Sequence, residues 1–349
     1  MKVCFIVGNA NQYGGIERVF SLLSSYMADT LGYDVKILSL YTRESKLFYE
    51  ISNAVKIRNV GLSLGADVRR AMINEFVAEP VDCVITMHPT IALDFCRIKR
   101  KLPPMRWIAT EHSFPLDYSN KRRLANLYTY LHSDKLVVLT EAAAKYYKMR
   151  GERNVEIIPN PLTFESDEVS SLQSNEIVAV GRLEKVKRYD LLISAFAKAH
   201  NLYPKWKLKL VGDGSERQEL IKQAEELGLN DAVIFTGIRR DIKDIMLKSS
   251  MLAITSTYEG FSLVALEAIA CGLPIVSVGL PAIKEIDAGT GAVTFAKEAN
   301  STQFAEKMRI LMGNPDLLRK SAAEARKRSS AYRIDVIGQK WKQLIEGNK

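Results

Sequence analysis

The chain is short of the residues that mark several common classes of protein. Its 349 residues include four cysteines and four histidines, and Cys4, Cys83, Cys96 and Cys271 show no paired spacing. This spacing argues against a disulfide framework and against a zinc site, so we expect buried thiols. The sequence contains no uncharged run of about 18 apolar residues, and it therefore predicts no transmembrane helix.

From the start of the chain we expect no targeting segment. The apolar stretch after Met1 is only about five residues long, which is too short for the hydrophobic region of a signal peptide. We interpret it as a first buried strand and expect a cytoplasmic protein. Low-complexity segments and short-period repeats are absent, and 349 residues are enough for two ordinary globular domains.

Acidic residues are fewer than basic ones, which leaves a formal net charge of +9. Residues 1–160 hold 22 Lys and Arg against 16 Asp and Glu, with clusters at 97–106, 121–123 and 145–153. Such a surface can hold an anionic membrane leaflet at roughly 1 kcal/mol per cation, bind nucleic acid, or only be solvated. No aromatic platform accompanies the cations, so we expect no nucleic-acid partner.

Short runs rich in Val and Ile alternate with helical patterns along most of the chain. This alternation predicts an α/β fold with mainly parallel sheets covered on both faces. In the first half, strands are predicted at 2–8, 35–41, 83–87, 106–110, 135–139 and 155–158, and helices at 16–30, 67–78, 121–132 and 141–150. In the second half, strands are predicted at 177–181, 207–212, 232–237, 251–256, 275–278 and 292–295, and helices at 189–200, 215–227, 242–248, 262–271, 301–312, 315–330 and 334–345.

The pattern is interrupted by Pro159-Asn160-Pro161, and the polar segment 163–175 has the composition of a linker. We therefore predict two doubly wound, Rossmann-like domains, 1–162 and 163–332. Ligands bind beyond the carboxyl ends of parallel strands, so two such domains placed face to face are expected to form a central cleft.

The stretch from Thr257 to Ser277 carries the clearest chemical signal. Glu259 and Gly260 lie in a predicted loop, Ser262 can cap the following helix, and Glu267 lies within that helix. A helix start attracts an anion, and a carboxylate accepts hydrogen bonds from sugar hydroxyls, which suggests a nucleotide sugar. The alternative is a solvated Glu259 and a Glu267 on an exposed helix face.

A glycine loop joins the first strand to its helix. Gly14 and Gly15 allow a ligand to approach the backbone closely, and Glu17 lies in the first helical turn. The loop matches neither the dinucleotide-binding fingerprint nor a P-loop. The alternative is a simple turn.

Two cations follow the first strand of the second half. Arg182 and Lys187 are predicted at the carboxyl end of its sheet, where together they can neutralise a diphosphate and stabilise a leaving group. The alternative is an unrelated pair of surface charges.

Two histidines end neighbouring predicted strands of the first half. A single histidine at a strand end is more often structural, but His88 and His112 together favour a functional site. No further ligand stands at metal-binding spacing, and no Asp-x-Asp pair ends a strand, so no metal is expected.

Four motifs occur in order along the chain: Gly14-Gly15-Ile-Glu17, Gly181-Arg-Leu-x3-Lys187, Val211-Gly-Asp-Gly214 and Glu259-Gly-Phe-x5-Glu267. Together they resemble the GT4 family of retaining glycosyltransferases, which have the GT-B fold, and the resemblance runs nearly end to end. One departure is Arg188, where many members have glycine.

The resemblance implies roles for individual residues. Arg182 and Lys187 would bind the donor diphosphate, Glu259 the donor sugar and Glu267 the ribose, while the 261–263 amides and Gly15 would face the phosphates. His112 would lie beside the reacting carbon. The predicted donor-binding residues are Gly14, Gly15, Arg182, Lys187, Glu259, Gly260, Phe261, Ser262, Leu263 and Glu267, and the predicted catalytic residues are His112, Arg182, Lys187 and Glu259.

The implied reaction moves a hexose or N-acetylhexosamine from a nucleotide-diphosphate sugar, UDP favoured, to a glycan or a polyprenyl-pyrophosphate-linked acceptor. The implied setting is capsule, O-antigen or similar polysaccharide synthesis, without a cofactor or metal, by a peripheral enzyme on the inner face of the cell membrane. The resemblance also implies that the last helix, about 333–349, packs on the first domain. Alternatives are an epimerase or hydrolase of the same build, or a non-catalytic partner subunit.

Overall fold

The computed structural model of the chain describes residues 1–42, 47–63 and 65–347. The chain divides into two compact units, one formed by Met1–Thr163 with Arg333–Lys349 and the other by Phe164–Tyr332. Each unit has a parallel sheet flanked by helices, which confirms the predicted fold class. Within the described ranges, no helix is long and apolar enough to cross a membrane.

The first unit contains a sheet of seven parallel strands in the order β3-β2-β1-β4-β5-β6-β7. The strands are β1 (Lys2–Val7), β2 (Asp34–Ser39), β3 (Lys56–Asn59), β4 (Cys83–Thr86), β5 (Arg106–Glu111), β6 (Lys135–Val138) and β7 (Val155–Ile157). Its helices include α1 (Gly15–Asp29), α2 (Val68–Ala78), α3 (Pro89–Ile98), α4 (Asn120–Tyr130) and α5 (Glu141–Lys148).

The second unit contains a sheet of six parallel strands in the order β10-β9-β8-β11-β12-β13. The strands are β8 (Glu176–Val180), β9 (Lys207–Val211), β10 (Val233–Phe235), β11 (Met251–Ile254), β12 (Ile275–Val278) and β13 (Val293–Ala296). Its helices are α6 (Tyr189–His200), α7 (Arg217–Glu226), α8 (Ile242–Leu247), α9 (Leu263–Ala270), α10 (Pro281–Asp287), α11 (Ser301–Met312) and α12 (Pro315–Ser329).

The strand order reverses once in each sheet, between β1 and β4 in the first unit and between β8 and β11 in the second. Loops that leave two such strands diverge, and the crevice between them is where open α/β sheets bind ligands. The glycine loop after β1 and the loops after β8 and β11 therefore occupy ligand-binding positions in their units.

The central strands are apolar because both faces of each sheet are covered. In the first unit, the rings of Phe76 and Phe95 lie 6.0 Å apart, and those of Phe95 and Trp107 lie 5.2 Å apart. All three side chains are fully buried, and each such burial contributes about 1.5–3 kcal/mol. The Trp107 indole N–H donates to Thr86 Oγ1 at 3.1 Å, so its polar atom is satisfied.

The last helix, α13 (Ile334–Glu346), packs on α1 in the first unit. A Cβ on Gly338 would lie 2.1 Å from the ring of Tyr26, so glycine lets the two helices approach closely. Tyr33 Oη donates to Glu346 Oε1 at 2.7 Å, and Arg106 Nη1 donates to the Ile345 carbonyl at 3.1 Å.

Three of the strands and α-helices in the described residues lie outside the predicted set. Strand β3 is an edge strand whose residues are largely exposed, so it lacks the apolar pattern of the other strands. Helices α3 and α10 both begin with proline, Pro89 and Pro281, and the prediction assigned no helix to either segment. Proline fits the first helical position because its missing N–H has no intrahelical acceptor there.

The polar segment 163–175 has neither helix nor strand, and all of it except Thr163 belongs to the second unit. The Ser170 N–H donates to the Cys271 carbonyl at 2.9 Å, and the Ser170 hydroxyl donates to the Ser249 carbonyl. Ser170 therefore ties this segment to the rest of the second unit.

Candidate functional site

The loops after β8 and β11 are joined to each other at the point where the second sheet reverses. The Thr257 N–H donates to the Val186 carbonyl at 2.8 Å, and Thr255 Oγ1 donates to the Lys187 carbonyl at 2.8 Å. These bonds hold the chain around Lys187 against the loop that carries Glu259.

Lys187 and Glu259 form an ion pair, with Lys187 Nζ 2.7 Å from Glu259 Oε1. The side chains are 22% and 14% exposed, and Ser256 Oγ donates to the same carboxylate oxygen at 2.7 Å. The interpretation of Glu259 as a solvated loop residue is therefore wrong. Two predicted site residues from distant parts of the chain meet here.

Glu267 lies on α9 and is only 3% exposed. The alternative that placed it on an exposed helix face is therefore wrong. Burial, with a smaller contribution from the negative charge of Glu267, raises the pKa of the Cys271 thiol to about 12. Cys271 is thus an unreactive buried thiol, as the cysteine spacing suggested.

The start of α9 carries the remaining residues of the Glu259 motif. Ser262 is the N-cap, and its Oγ accepts from the Ala265 N–H at 3.3 Å, as predicted. Phe261 is buried and packs against Tyr332 with ring centroids 5.9 Å apart. N–H groups in a first helical turn, including that of Leu263, lack intrahelical acceptors and lie at the positive end of the helix dipole.

The loops after β8 and β9 touch each other backbone to backbone. A Cβ on Gly212 would lie 2.0 Å from the Gly181 carbonyl oxygen, and one on Gly214 would lie 2.4 Å from the Leu183 carbonyl oxygen. The φ angles of Gly212 and Gly181 are +136° and +153°, in the range that favours glycine. The close backbone contacts and the positive φ angles therefore require glycine in the loops after β8 and β9.

Arg182 follows Gly181 and has an exposed side chain. Among the described residues, its side chain has no hydrogen bond or ion pair, so it does not join the pair of Lys187 and Glu259. Two hydrogen bonds from Ser215 lower the pKa of Glu184, and the positive charge of Arg182 makes a smaller contribution in the same direction.

Arg188 adopts the left-handed backbone conformation, with φ 51° and ψ 43°, between a short 3₁₀ turn and α6. Its guanidinium Nε lies 3.2 Å from Asp190 Oδ1. A residue with a side chain is disfavoured in this conformation by about 1–2 kcal/mol. This backbone requirement explains why glycine suits the position.

In the first unit, Gly14 caps α1 and Gly15 is the first residue of that helix. A Cβ on Gly14 would lie 2.2 Å from Glu17 Oε2, so the Glu17 carboxylate folds back over the helix start. Burial raises the pKa of Glu17. The loop before it is fixed by the Ala10 N–H, which donates to Ser39 Oγ and Thr42 Oγ1 at 3.0 Å each.

His88 and His112 follow the neighbouring strands β4 and β5. His88 is the N-cap of α3, where Nδ1 accepts from the Thr90 N–H at 3.3 Å, and this gives it a structural role. Burial and, secondarily, the charge of Arg122 lower its pKa.

His112 is half-buried, and its Nε2 is a buried atom with no hydrogen-bond partner among the described residues. Burial, with a smaller contribution from the charge of His88, lowers its pKa to about 4. His112 is therefore a neutral imidazole at pH 7. An unsatisfied buried nitrogen is rare enough to suggest a ligand contact.

The residue before His112 was missed by the sequence reasoning. Glu111 is 1% exposed and accepts hydrogen bonds from five donors in the first unit. The donors are Ser113 N at 3.0 Å, Tyr118 Oη at 3.0 Å, Asn126 Nδ2 at 3.4 Å, Tyr130 Oη at 3.0 Å and Tyr147 Oη at 3.2 Å. The carboxylate thereby fixes the backbone on both sides of His112, and the available signal was an acidic residue ending an apolar strand.

No group of three or more His, Cys, Asp or Glu side chains that could hold a metal ion occurs within residues 1–42, 47–63 and 65–347. The residues that converge in the second unit are instead a lysine, a carboxylate and a capped helix start. This set suits an anion that carries hydroxyl groups.

Two adjoining family profiles match the chain. The Glycosyltransferase Family 4 profile matches residues 13–165, and the Glycosyl transferases group 1 profile matches residues 163–328. The crystal structure of HepE from Anabaena in complex with UDP superposes with a TM-score of 0.80 at 19% identity, over 99% of this chain and 100% of that one. The fold is thus the two-domain, Rossmann-like GT-B fold of glycosyltransferases.

The chain belongs to the GT4 family and is a glycosyltransferase. It is 25% identical over 370 residues to the amylovoran biosynthesis glycosyltransferase AmsD of Erwinia amylovora, with 99% of each chain covered. It is also 25% identical over 364 residues to a Campylobacter jejuni α-1,4-N-acetyl-D-galactosaminyltransferase that acts on a glycan linked to undecaprenyl pyrophosphate. That match covers 99% of this chain and 98% of the relative.

Proposed function

We propose that the chain transfers a hexose or N-acetylhexosamine, with retention of configuration, from a UDP-sugar to a glycan or polyprenyl-pyrophosphate-linked acceptor. The product would belong to a surface polysaccharide such as a capsule or O-antigen. Support comes from the relatives named for amylovoran synthesis and for an undecaprenyl-linked glycan, and from the UDP complex of HepE.

The observation that carries the proposal is the ion pair of Lys187 and Glu259 at the reversal point of the second sheet. An ammonium has three N–H donors and an ionised carboxylate about four acceptor sites. Lys187 uses one donor on Glu259, and Glu259 accepts from Lys187 and Ser256. Lys187 can therefore also bind a phosphate oxygen, and Glu259 a sugar hydroxyl, without breaking the pair.

In the proposed reaction, the bond between the anomeric carbon and the UDP oxygen breaks through an oxocarbenium-like transition state. The acceptor oxygen forms the new bond on the same face, and its proton passes to the leaving phosphate. Lys187 and Arg182 stabilise the charge that grows on the diphosphate. Glu267 would bind the ribose, and Gly15 and the amides of 261–263 the phosphates.

His112 takes a neutral role in this scheme. Its pKa of about 4 means that the imidazole carries no charge near pH 7. The proposal therefore gives it a hydrogen bond to the donor sugar beside the reacting carbon, with no proton transfer of its own. We therefore expect that titration of His112 does not change kcat between pH 6 and 8.

We propose that no metal ion takes part, because the cationic side chains of Lys187 and Arg182 supply the charge that a metal would give. Activity should persist after dialysis against EDTA. Complete loss in EDTA that Mg²⁺ or Mn²⁺ restores would contradict this part of the proposal.

We also propose peripheral membrane binding through α4. Leu124 and Tyr128 of α4 and its C-cap residue Leu131 are 69%, 56% and 46% exposed and lie at helical spacing, and Lys121 lies one turn before Leu124. An amphipathic surface of this kind binds at the interface of an anionic bilayer. Flotation with anionic liposomes over a salt series tests it, with Leu124→Ser as the variant and Leu202→Ser, 63% exposed in the second unit, as the control.

The test of the reaction is a panel of nucleotide sugars scored by release of the nucleotide, with and without an acceptor. We expect one UDP-sugar to be consumed rapidly only when acceptor is present. Equal consumption without acceptor would indicate hydrolysis or epimerisation in place of transfer.

A further inference from the structure

The second unit holds a cavity that the proposed donor contacts do not use. It has a volume of about 520 Å³ and lies beyond the ends of β11, β12 and β13. Its wall is formed by parts of the segments 255–257, 278–280 and 295–299, together with Arg188 and Lys284. It shares Thr255 and Ser256 with the pocket that contains Lys187 and Glu259, but neither Lys187 nor Glu259 lines it.

Three cationic side chains, those of Arg188, Lys284 and Lys297, line the cavity, and no aspartate or glutamate does. Within the described residues, Lys284 and Lys297 have no carboxylate partner, and Arg188 contacts only the exposed Asp190. Three like charges around one space repel each other. An anion placed between them is attracted by all three, and this attraction offsets the repulsion.

Two backbone features adapt the wall to these cations. A Cβ on Gly279 would lie 3.3 Å from Cε and 3.5 Å from Nζ of Lys284, so the glycine leaves room for the lysine against the wall. Arg188 is held in the left-handed conformation, with φ 51°. Strained positions of this kind concentrate at binding and catalytic sites. Here the cavity wall carries an arginine at a left-handed position, although glycine would adopt that conformation at a lower energetic cost.

We propose that this cavity is a second anion site, which binds a phosphate or pyrophosphate group separately from the donor diphosphate. Arginine and lysine are the side chains that bind such groups most strongly, and the volume falls within the range of small-molecule sites. The apolar side chains of Val278, Leu280 and Phe295 give room for an attached organic part. The group could come from free pyrophosphate or from a pyrophosphate-linked acceptor, and only the second source rests on the proposed function.

The test uses the full chain saturated with UDP, so that the donor site is occupied, and titrates inorganic pyrophosphate by calorimetry at constant ionic strength. The variant is Lys284→Gln with Lys297→Gln. Both side chains are exposed, so the substitutions leave the core intact. The matched control, Lys222→Gln with Lys320→Gln, removes the same charge from exposed positions of the same unit.

We expect the wild type and the control to bind pyrophosphate, and the Lys284/Lys297 variant to bind it at least roughly tenfold more weakly. The UDP affinity of all three should be the same. An equal loss in the control would show non-specific attraction, and no binding by the UDP-saturated wild type would show that the site does not exist. Either result would overturn the proposal.

A second titration with a short prenyl pyrophosphate identifies the source. Binding that is tighter than that of inorganic pyrophosphate and depends on Lys284 and Lys297 supports the acceptor, and equal binding supports the free anion. Failure of the donor proposal shows separately, as absence of UDP binding to the wild type.

Discussion

The buried carboxylate of Glu111 allows a sharp test of how the segment around His112 is held. Five N–H or O–H groups donate to it, and no lysine or arginine is among them. Burial raises its pKa, while the hydrogen bonds favour the ionised form. We predict that the carboxylate is ionised in the folded chain, because all five donors face its two oxygens.

Two substitutions separate the charge from the shape. Glu111→Ala leaves five donors without this acceptor, three of them in buried hydrogen bonds, and should lower the free energy of unfolding by about 3–5 kcal/mol. Glu111→Gln keeps the shape, and the hydroxyls of Tyr130 and Tyr147 can turn to accept from the new amide. Its cost should therefore be smaller, about 1–2 kcal/mol.

The assay is urea unfolding followed by tryptophan fluorescence in a Trp206→Phe background. The chain has three tryptophans, and this change leaves Trp107 and Trp341, which both belong to the first unit. If Glu111→Gln changed stability by less than about 0.5 kcal/mol, the carboxyl would be protonated in the folded state. That result would refute the reasoning.

Three further predictions concern His112 and two backbone positions. Because the pKa of His112 is lowered from 6.5 to about 4, the unfolded chain binds its proton first on acidification, so the wild type should lose about 2–3 kcal/mol of stability between pH 6.5 and 4. His112→Gln should abolish that part of the loss, as the difference between the two melting profiles shows. Gly212→Ala should cost about 3 kcal/mol or more because of the contact with Gly181, whereas Gly228→Ala, with φ +68° and open space, should cost only about 1 kcal/mol in chemical denaturation. Arg188→Gly should raise the melting temperature slightly by removing strain of about 1 kcal/mol, yet weaken pyrophosphate binding; a lower melting temperature would contradict this.

Helices and strands were predictable where the spacing of apolar residues fits only one type of element. Strand β12 and helices α6 and α11 have the predicted bounds, because their apolar spacing fits one element type. Strand β3 was missed because an edge strand can be polar. Helix α3 was missed because His88 was treated only as the end of a strand, although a cap followed by proline is a helix start signal.

The residues of the site could be predicted from the sequence, but the contacts between them could not. Lys187 and Glu259 are 72 positions apart, and only the packing of the loops after β8 and β11 brings them together. The partners of Glu111 are spread from Ser113 to Tyr147 for the same reason. Arg188 could be recognised as a departure from the family, but its left-handed backbone follows only from the structure.

The measurement that tests the account most directly is the steady-state kinetics of Lys187→Ala, with the donor affinity measured separately by calorimetry. Lys185→Ala is the control, because Lys185 lies in the same turn and is exposed. We predict that Lys187→Ala lowers kcat by roughly 10²-fold or more, with a smaller change in donor affinity, because the cation acts on charge that develops in the transition state. An unchanged kcat, or an equal loss in Lys185→Ala, would contradict the role assigned to the Lys187 and Glu259 pair.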